Sequence, residues 1–486
     1  MDTRPLRLIL PGILLSLAIL ACGGGGHGAP ARAASQQATY LFEAEPYLQI
    51  GDNPNGADRL TLVWQSLDEA AAWRVEIRTR PGAPWRPMAP PAYHLVAVPG
   101  MGPAPHRVWA VSLQPLEPGG SFDYRLLRDG LEVFQQAGAR ALKGPGQRQR
   151  IAVVGDLADG HGSGGQAVAF QINAQHPDLM VAAGDLVYDR GTVEEYRSLF
   201  FPTYNGDQAD PAKGAPFMRG TPMVGVLGNH DVDHVGRSKV PPRTSLAYYY
   251  YWDQPRNGPD LGLNVANLTP AADWAGFRTG AGDRYPRMGN FSFRSGDVHW
   301  TILNSNRYMH WQDPDLQAWL IRDLEAARGV PWRFVAFHHP PFNLSSANHT
   351  GDWHMAQLWP IMQRYHVDLV FTGHLHTYQR TLPIRMTPTP PGGNNAAHCA
   401  NEANLVPDTT FDGAAHTRAA GPIQILTGGG GGFMHNTRMP GRPKPFHGKV
   451  VLNRHCFSLL EVDADRVEFQ QLGAGGEVLD RFTLTH

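Results

Sequence analysis

The chain has 486 residues, of which 42% are hydrophobic, so it can bury a large core, and its length favours two or three domains. Its 42 Lys and Arg residues balance 43 Asp and Glu residues, which gives no electrostatic support for nucleic acid or an anionic membrane surface as the main partner. The 22 His, 54 Gly and 41 Pro residues indicate many loops and a supply of metal-ligating side chains.

The N-terminal segment has the layout of an export signal. Arg4 and Arg7 precede an apolar run, Leu8 to Ala21, which is shorter than the roughly 20 residues of a membrane-spanning helix. The run ends in the letters ILAC, which resemble the lipobox of bacterial lipoproteins, where the cysteine, here Cys22, becomes the lipidated first residue. An ordinary secretory signal with an incidental cysteine is the alternative.

We therefore expect a lipoprotein signal peptide at 1–22 and a flexible tether at 23–39. These segments predict a protein of the bacterial cell envelope, periplasmic or at the cell surface, that contacts the membrane through its N-terminal lipid only. If Cys22 carries lipid, Cys399 and Cys456 remain, either as a disulfide pair or as two free thiols.

Residues 40–145 carry the alternating pattern of antiparallel strands. In RLTLVWQS, for example, Leu60, Leu62 and Trp64 fall on one face, and WRVEIRTR and SFDYRLLRDG repeat the pattern. Because Pro, Gly and Asp turns separate these runs, we predict a small all-β sandwich. None of its residues has a catalytic pattern.

After the linker KGPGQRQ, five continuous apolar runs end in polar residues. They are RIAVVGD, DLMVAAGD, PMVGVLGNHD, RFVAFHHPP and VDLVFTGHLH. Such runs indicate strands that are covered on both faces, as in layered α/β folds. Two intervening segments are typical of helices, since TVEEYRSLF opens with a capping box from Thr192 to Glu195 and residues 316–324 space three leucines four apart. The C-terminal segments return to strands, as a second sheet or its edge.

Polar side chains stand at the ends of these runs, where open α/β sheets place their sites. Together they supply two carboxylates, an amide, a phenol and three imidazoles: Asp156, Asp185, Asn229, Tyr188, His338, His374 and His376. Oxygen and imidazole donors without thiolates suit Fe, Mn or Zn. Two ions about 3.5 to 4 Å apart that share a bridging carboxylate would use the whole set and would suit in-line displacement at phosphorus.

In chain order, the blocks GDLAD, GDLVY, GNHD, VAFH and GHLH resemble the five motif blocks of the purple acid phosphatases within the calcineurin-like metallophosphoesterases. The resemblance implies an α/β fold of two packed mixed β-sheets flanked by helices at 150–486, preceded by a fibronectin-III-like sandwich at 40–145. It also implies hydrolysis of phosphate monoesters by metal-activated hydroxide.

The same resemblance divides the seven ligands between two metals. Those of the first metal would be Asp156, Tyr188 and His376. Those of the second would be Asn229, His338 and His374, with Asp185 as the bridge. Relatives without the tyrosine usually carry a histidine where this chain has Ala158, so Tyr188 is the natural replacement. Its phenolate favours Fe(III) in the first site, with Fe, Zn or Mn in the second.

Further residues are expected to contact the substrate. His230, when protonated, can donate to a phosphoryl or leaving-group oxygen, and Asp231 is expected to orient it and keep it charged. His349 lies near the position of a histidine pair that contacts phosphate in some relatives, so it is either a substrate contact or a loop residue. His339 is expected to lie behind His338, and the two exchange roles if the Val-x-x-His register is shifted.

Three alternatives remain open at this stage. The segment LAYYYYW, residues 246–252, is either a substrate-facing flap or a covered loop. A phosphodiesterase or nucleotidase on the same centre is the alternative to a phosphate monoesterase. A non-enzymatic surface lipoprotein with a purely structural metal core is the different class of function. The sequence predicts no nucleic acid as a structural partner and leaves the oligomeric state open.

Overall fold

The structure, a computed structural model, describes residues 41–97, 104–160, 164–232, 246–262, 271–344, 354–387, 404–435 and 442–486. The predicted signal and tether with Cys22, the candidate substrate contact His349, and Cys399 lie outside these ranges, so what was expected of them stays a prediction. Cys456 is buried as a free thiol. Among the helices of these ranges, none is long and apolar enough to span a membrane.

The N-terminal part is all β, as predicted. Its strands are β1 (Ala44–Gln49), β2 (Leu60–Leu67), β3 (Trp73–Arg78), β4 (Arg86–Pro87), β5 (Ala92–Val96), β6 (His106–Leu113), β7 (Ser121–Arg128) and β8 (Leu131–Arg140). They form two four-stranded sheets, in the orders β1-β2-β6-β5 and β4-β3-β7-β8. The residues predicted to face inward, such as Leu62, Trp64 and Tyr124, are fully buried. The likeness to fibronectin III stays a prediction.

The remaining strands build two larger sheets and one two-stranded sheet. The strands are β9 (Gln149–Val154), β10 (Leu179–Ala182), β11 (Met223–Gly225), β12 (Phe291–Ser295), β13 (Val298–Ile302), β14 (Trp332–Ala336), β15 (Leu369–Thr372), β16 (Tyr378–Thr381), β17 (Ile384–Met386), β18 (Leu405–Pro407), β19 (Ile423–Thr427), β20 (His447–Val451), β21 (Cys456–Val462), β22 (Arg466–Gly473) and β23 (Val478–Thr485). The six-stranded sheet has the order β11-β10-β9-β21-β22-β23, and the seven-stranded sheet has the order β12-β13-β14-β15-β19-β16-β20. Strands β17 and β18 pair separately.

Helices connect and cover these sheets. The α-helices are Gly164–Gln175, Val193–Glu195, Phe201–Tyr204, Phe217–Gly220, Tyr248–Tyr251, Ala271–Ala281, Pro314–Ala326 and Trp359–Arg364, with a π-turn at Tyr196–Phe200 and 3₁₀ turns at His230–Val232, Gly282–Arg284 and Arg287–Gly289. The predicted capping box forms, since the Thr192 side chain accepts from the Glu195 backbone N–H while the Glu195 carboxylate binds the Thr192 N–H. In Pro314–Ala326 the three leucines spaced four apart are buried, as predicted.

The five apolar runs end at one rim of the molecule, but they belong to two sheets. Strands β9, β10 and β11 pair in parallel in the six-stranded sheet, whereas β14 and β15 pair in parallel in the seven-stranded sheet. A shared core that includes Val153, Val181, Phe334 and Phe371 packs the sheets face to face. The strand ends therefore converge across this packed interface, in the two mixed sheets that the sequence predicts.

The segment LAYYYYW is covered, which answers the alternative left open for it. Tyr248 to Tyr251 are all buried. The backbone carbonyl of Tyr251 accepts from Tyr47 Oη at 2.9 Å, and the Tyr251 hydroxyl lies 2.9 Å from Nε2 of His106. Because Tyr47 and His106 belong to the sandwich, the segment joins the sandwich to the two-sheet domain.

Candidate metal centre

Three of the predicted ligands come together in one buried cluster. The ligand atoms of Asp185, His338 and His374 all lie within 4.8 Å of one another. Asp185 follows β10 in one sheet, whereas the two histidines follow β14 and β15 in the other. The predicted bridging carboxylate thus faces its partners across the interface between the sheets.

The His338 ring is oriented for metal binding. Its Nδ1 lies 2.9 Å from the carbonyl oxygen of Ala183, so that nitrogen is a donor, and its Nε2 lies 3.0 Å from Oδ2 of Asp185. A backbone acceptor on one ring nitrogen fixes the tautomer and leaves the other nitrogen free to ligate. The geometry therefore supports His338 rather than His339 as the ligand, which is the register that the Val-x-x-His spacing predicts.

The phenol of Tyr188 contacts the other predicted ligands of the first metal and the predicted bridge. Its Oη lies 3.0 Å from Oδ1 of Asp156, 3.4 Å from Oδ2 of Asp185 and 2.9 Å from Nε2 of His376. The backbone N–H of Tyr188 donates to the carbonyl of Ala158 at 3.2 Å. The tyrosine thus stands beside the position where relatives without it carry a histidine.

His376 is held in the same way as His338. Its Nδ1 lies 2.6 Å from the carbonyl oxygen of Phe433, so Nε2 is left to face Tyr188 and Asp156. Phe433 follows the glycine run 428–432, and a Cβ on Gly432 would lie 2.3 Å from Cε1 of His376. The absence of a side chain at Gly432 therefore makes room for this ring.

Asn229 supplies the clearest sign that a cation belongs here. Its side-chain oxygen Oδ1 is buried and has no hydrogen-bond partner among the described residues. An unsatisfied buried acceptor costs about 1 to 3 kcal/mol. Since a cation would satisfy this oxygen, the donor set fits the binuclear centre that the sequence predicts.

Three of the predicted ligands have strained backbone conformations. Asp156, Asp185 and His374 adopt left-handed backbone conformations, with φ of 62°, 50° and 72°. Such conformations cost non-glycine residues about 1 to 3 kcal/mol and are typical of functional sites. Gly184, with φ of 89°, lies so close to His338 that a Cβ would be 2.5 Å from its Nδ1.

The surroundings of Asp185 and Tyr188 shift their pKa values in opposite directions. Burial alone would raise the pKa of Asp185, but the charges of His338, His230 and His374 outweigh it and hold that pKa well below its usual range. Burial, reinforced by Asp156 and Asp185, raises the pKa of the Tyr188 phenol well above its ordinary value. The phenol is therefore protonated unless a cation lowers its pKa.

His230 lies at the edge of the cluster. Its backbone N–H donates to Oδ1 of Asp185 at 2.8 Å, and its Nδ1 lies 2.7 Å from the carbonyl oxygen of Asp189. Its ring packs on Tyr188 with 4.6 Å between the ring centroids. The ring is partly exposed, as a residue that meets substrate must be.

Asp231 does not orient His230, which corrects the expectation from sequence. Its two carboxylate oxygens accept from the backbone N–H groups of Leu186 and Gly228, at 2.9 and 2.7 Å. The side chain is fully buried, and burial together with Asp185 raises its pKa to about 7. Asp231 thus holds the Asp185 and Asn229 loops together, and the carbonyl of Asp189 orients His230.

The sequence did not single out the segment after β13, residues 303–306. Its Ser305 hydroxyl accepts from the backbone N–H of His338 at 3.1 Å, and its Asn306 side chain donates to the carbonyl of Gly228 at 3.1 Å. It therefore braces two ligand loops. The letters VHWTILNSN, an apolar run that ends in polar residues, were the available signal.

A cavity of about 700 Å³ lies apart from these residues. Glu43, Arg197 and Arg219 are among the side chains that line it, and none of the seven predicted ligands does. The donor geometry, rather than cavity volume, therefore locates the site.

Residues 149–378 match the family model described as calcineurin-like phosphoesterase. The chain carries a calcineurin-like phosphoesterase domain. The matched range contains all seven predicted ligands, from Asp156 to His376.

Purple acid phosphatases are similar to this phosphoesterase domain. Purple acid phosphatase 18 of Arabidopsis thaliana is 36% identical over 110 residues, which cover 21% of this chain and 24% of that protein. Purple acid phosphatase 23 of the same plant is 26% identical over 253 residues, which cover 48% of this chain and 47% of that protein. The chain thus spans about a quarter to a half of the length of these curated relatives.

A solved structure confirms the predicted fold of the chain. The purple acid phosphatase PPD1 from yellow lupin (Lupinus luteus) superposes with a TM-score of 0.57 and 17% sequence identity, covering 90% of this chain and 74% of that one. At this identity the likeness concerns the fold alone. It confirms mixed sheets with flanking helices as the architecture that presents the strand-end residues.

Proposed function

We propose that the protein hydrolyses phosphate monoesters at a binuclear metal centre. The observation that carries this proposal is the orphaned side-chain oxygen of Asn229. The residue after it, His230, donates its backbone N–H to Asp185, which clusters with His338 and His374. A buried array of carboxylate, amide, phenol and imidazole donors at the rim of an α/β fold is suited to divalent and trivalent cations.

The donors divide into two groups around Asp185. Asp156, Tyr188 and His376 form one group, whose phenol favours Fe(III). Asn229, His338 and His374 form the other, which accommodates Fe, Zn or Mn. When bound, two such cations supply an acidified water as nucleophile and positive charge for the phosphoryl oxygens.

The chain's own residues then bind and orient the ester. The carbonyls of Ala183 and Phe433 hold His338 and His376 in the tautomers that leave Nε2 free. His230, oriented by the carbonyl of Asp189, supplies a proton to the leaving-group oxygen from the open edge of the cluster. Asp231 holds the loops of Asp185 and Asn229 together, because its carboxylate accepts from a backbone N–H group of each loop.

The experiment measures turnover of p-nitrophenyl phosphate and of its bis-ester across pH, after the purified protein is loaded with iron plus iron, zinc or manganese. We expect monoester turnover to exceed diester turnover, and the same assay on Asp185→Asn to give neither. A diester preference would identify the phosphodiesterase or nucleotidase alternative instead. No turnover of either ester by the metal-loaded wild type would refute the proposal and favour a structural metal core.

We also propose that the enzyme is exported and anchored by lipid at Cys22, as its N-terminal sequence predicts. Expression in a bacterial host followed by fractionation should place the wild type in the membrane fraction, labelled by radioactive palmitate. Cys22→Ser should lose the label. A wild type that is released without label would leave the ordinary secretory signal as the correct interpretation.

A further inference from the structure

The hydroxyl of Ser305 is surrounded by three nitrogen atoms. Its Oγ lies 3.1 Å from the backbone N of His338, 3.0 Å from the backbone N of His339 and 2.8 Å from Nδ1 of His339. Ser305 is fully buried, so water does not compete for these contacts. The carbonyl of the same residue accepts from Nε2 of His354 at 2.7 Å, which further fixes the segment.

The three contacts determine where the hydrogens lie. A hydroxyl oxygen has two lone pairs and one hydrogen. The two backbone N–H groups are donors, so they use both lone pairs, and the single hydroxyl hydrogen points to Nδ1 of His339. That nitrogen is therefore an acceptor without a hydrogen. The His339 ring carries its hydrogen on Nε2 and is uncharged.

The ring of His339 lies beside the predicted ligands of the second metal. Its centroid is 4.6 Å from that of His374 and 5.1 Å from that of His338. His339 is only 4% exposed, and its Nε2 makes no hydrogen bond to the described residues. A fully enclosed nitrogen would then lack any partner, but Nε2 does not belong to the atoms in that state, so part of its surface is accessible. The Nε2–H group therefore meets solvent inside the site, where it is available to a ligand.

We propose that Ser305 is a positioning residue that fixes His339 as an uncharged N–H donor, and that this donor binds an oxygen of the phosphate ester beside the second-metal ligands. The inference rests on the proposed function. An uncharged donor stabilises a phosphoryl oxygen without placing a further positive charge next to the cations. This assigns His339 a direct contact with substrate, in place of the supporting role expected from its position next to His338.

The test compares His339→Phe, which removes the donor and keeps a ring of similar size, with His339→Gln, whose side-chain amide retains an N–H donor. Ser305→Ala removes the hydrogen that defines the tautomer. His310→Phe is the matched control, because His310 is an exposed histidine on the loop that follows Ser305. Each metal-loaded variant is measured for metal content, for the Kd of inorganic phosphate by calorimetry, and for KM and kcat with p-nitrophenyl phosphate.

We expect His339→Phe to raise both the phosphate Kd and KM roughly tenfold with unchanged metal content, as the loss of one hydrogen bond to a charged acceptor predicts. Ser305→Ala should shift both in the same direction, His339→Gln should recover part of the affinity, and His310→Phe should match the wild type.

Either of two results would overturn this inference and leave the proposed function intact. If His339→Phe and Ser305→Ala bind phosphate with the same Kd as an active wild type, His339 does not contact the phosphate. A loss of bound metal from His339→Phe would make His339 a ligand instead. A wild type that neither binds phosphate nor turns over ester would overturn the proposed function and this inference with it.

Discussion

The phenolic oxygen of Tyr188 lies 2.9 Å from Nε2 of His376, although 188 positions separate the two residues in the chain. Tyr188 follows a strand of the six-stranded sheet, and His376 follows a strand of the seven-stranded sheet. Their contact, together with Asp156, places one phenol, one imidazole and one carboxylate where a single cation can bind all three.

Tyr188→Phe tests this contact by colour. A phenolate bound to Fe(III) absorbs visible light, so we expect the iron-loaded wild type to be coloured and the variant to lose that band while keeping its fold, because only the hydroxyl is removed. The visible spectrum at equal iron content is the measurement. Tyr204→Phe is the control, since Tyr204 is a buried tyrosine whose hydroxyl has no partner in the described structure. A variant that keeps the wild-type spectrum would remove Tyr188 from the ligand set.

Asn229→Ala should separate metal binding from stability. Without metal, we expect the free energy of unfolding to stay level or to rise by up to about 1 kcal/mol, because an unsatisfied buried oxygen is removed. With metal, the variant should gain less than the wild type, and each tenfold loss of affinity reduces the stabilisation by about 1.4 kcal/mol. Thermal unfolding with and without zinc measures both. An equal metal-induced gain in the two proteins would show that Asn229 does not bind metal.

His230→Ala should lower turnover while sparing the metals. The side chain of His230 contacts a backbone carbonyl and a ring rather than a predicted carboxylate ligand, so its removal leaves the donor set in place. Loss of a proton donor predicts a fall in kcat of roughly a hundredfold or more with unchanged metal content. Turnover equal to the wild type would exclude His230 from catalysis.

Asp231→Ala should lose stability and bound metal, whereas His230→Ala should lose turnover and keep its metal. Asp231→Ala leaves the backbone N–H groups of Leu186 and Gly228 without acceptors, which predicts a loss of about 2 to 4 kcal/mol of stability. Metal content should fall as well, because Asp231 no longer holds the loops of Asp185 and Asn229 together. Chemical denaturation and metal analysis test this, and Asp231→Asn, which keeps one acceptor, should lie in between. A stable, fully metallated Asp231→Ala protein would restore the idea that Asp231 acts on His230.

Acid should weaken the junction between the sandwich and the phosphoesterase domain. Burial lowers the pKa of His106 to about 4, from the ordinary value near 6.5, because the charged ring would be desolvated beside Tyr251. A lowered folded-state pKa contributes stability that is fully present above about 6.5 and is lost as the pH falls through about 4.

Comparison of the wild type with His106→Gln tests whether the lowered pKa of His106 makes the folded protein less stable in acid. We expect the difference in Tm between pH 7 and pH 4.5 to be smaller in the variant, even if the variant is less stable at pH 7. Thermal unfolding followed by tyrosine fluorescence suits the measurement, since the junction is rich in tyrosine. Equal differences in the two proteins would mean that another group controls acid stability.

The sequence predicted those features that follow from local periodicity or from a short motif. Leu60, Leu62 and Trp64 alternate because one face of β2 is buried, and the strand-end positions of Asp156 and Asp185 follow from the apolar runs before them. The role of Asp231 could not be read in this way, because its partners are backbone amides brought near by tertiary folding. Ser305 was missed for a related reason: its contacts are with the chain of a neighbouring strand end, and its short polar segment contains no charged residue.

The division of the metal donors between two sheets makes metal uptake a reporter of tertiary assembly. Neither sheet alone holds all of the predicted ligands, so the proposed centre could form only once the sheets have packed face to face. Cations then act as a clamp whose strength depends on the free metal concentration around the folding chain. The surroundings in which folding finishes, rather than those in which the chain is made, would therefore decide which metals the protein carries.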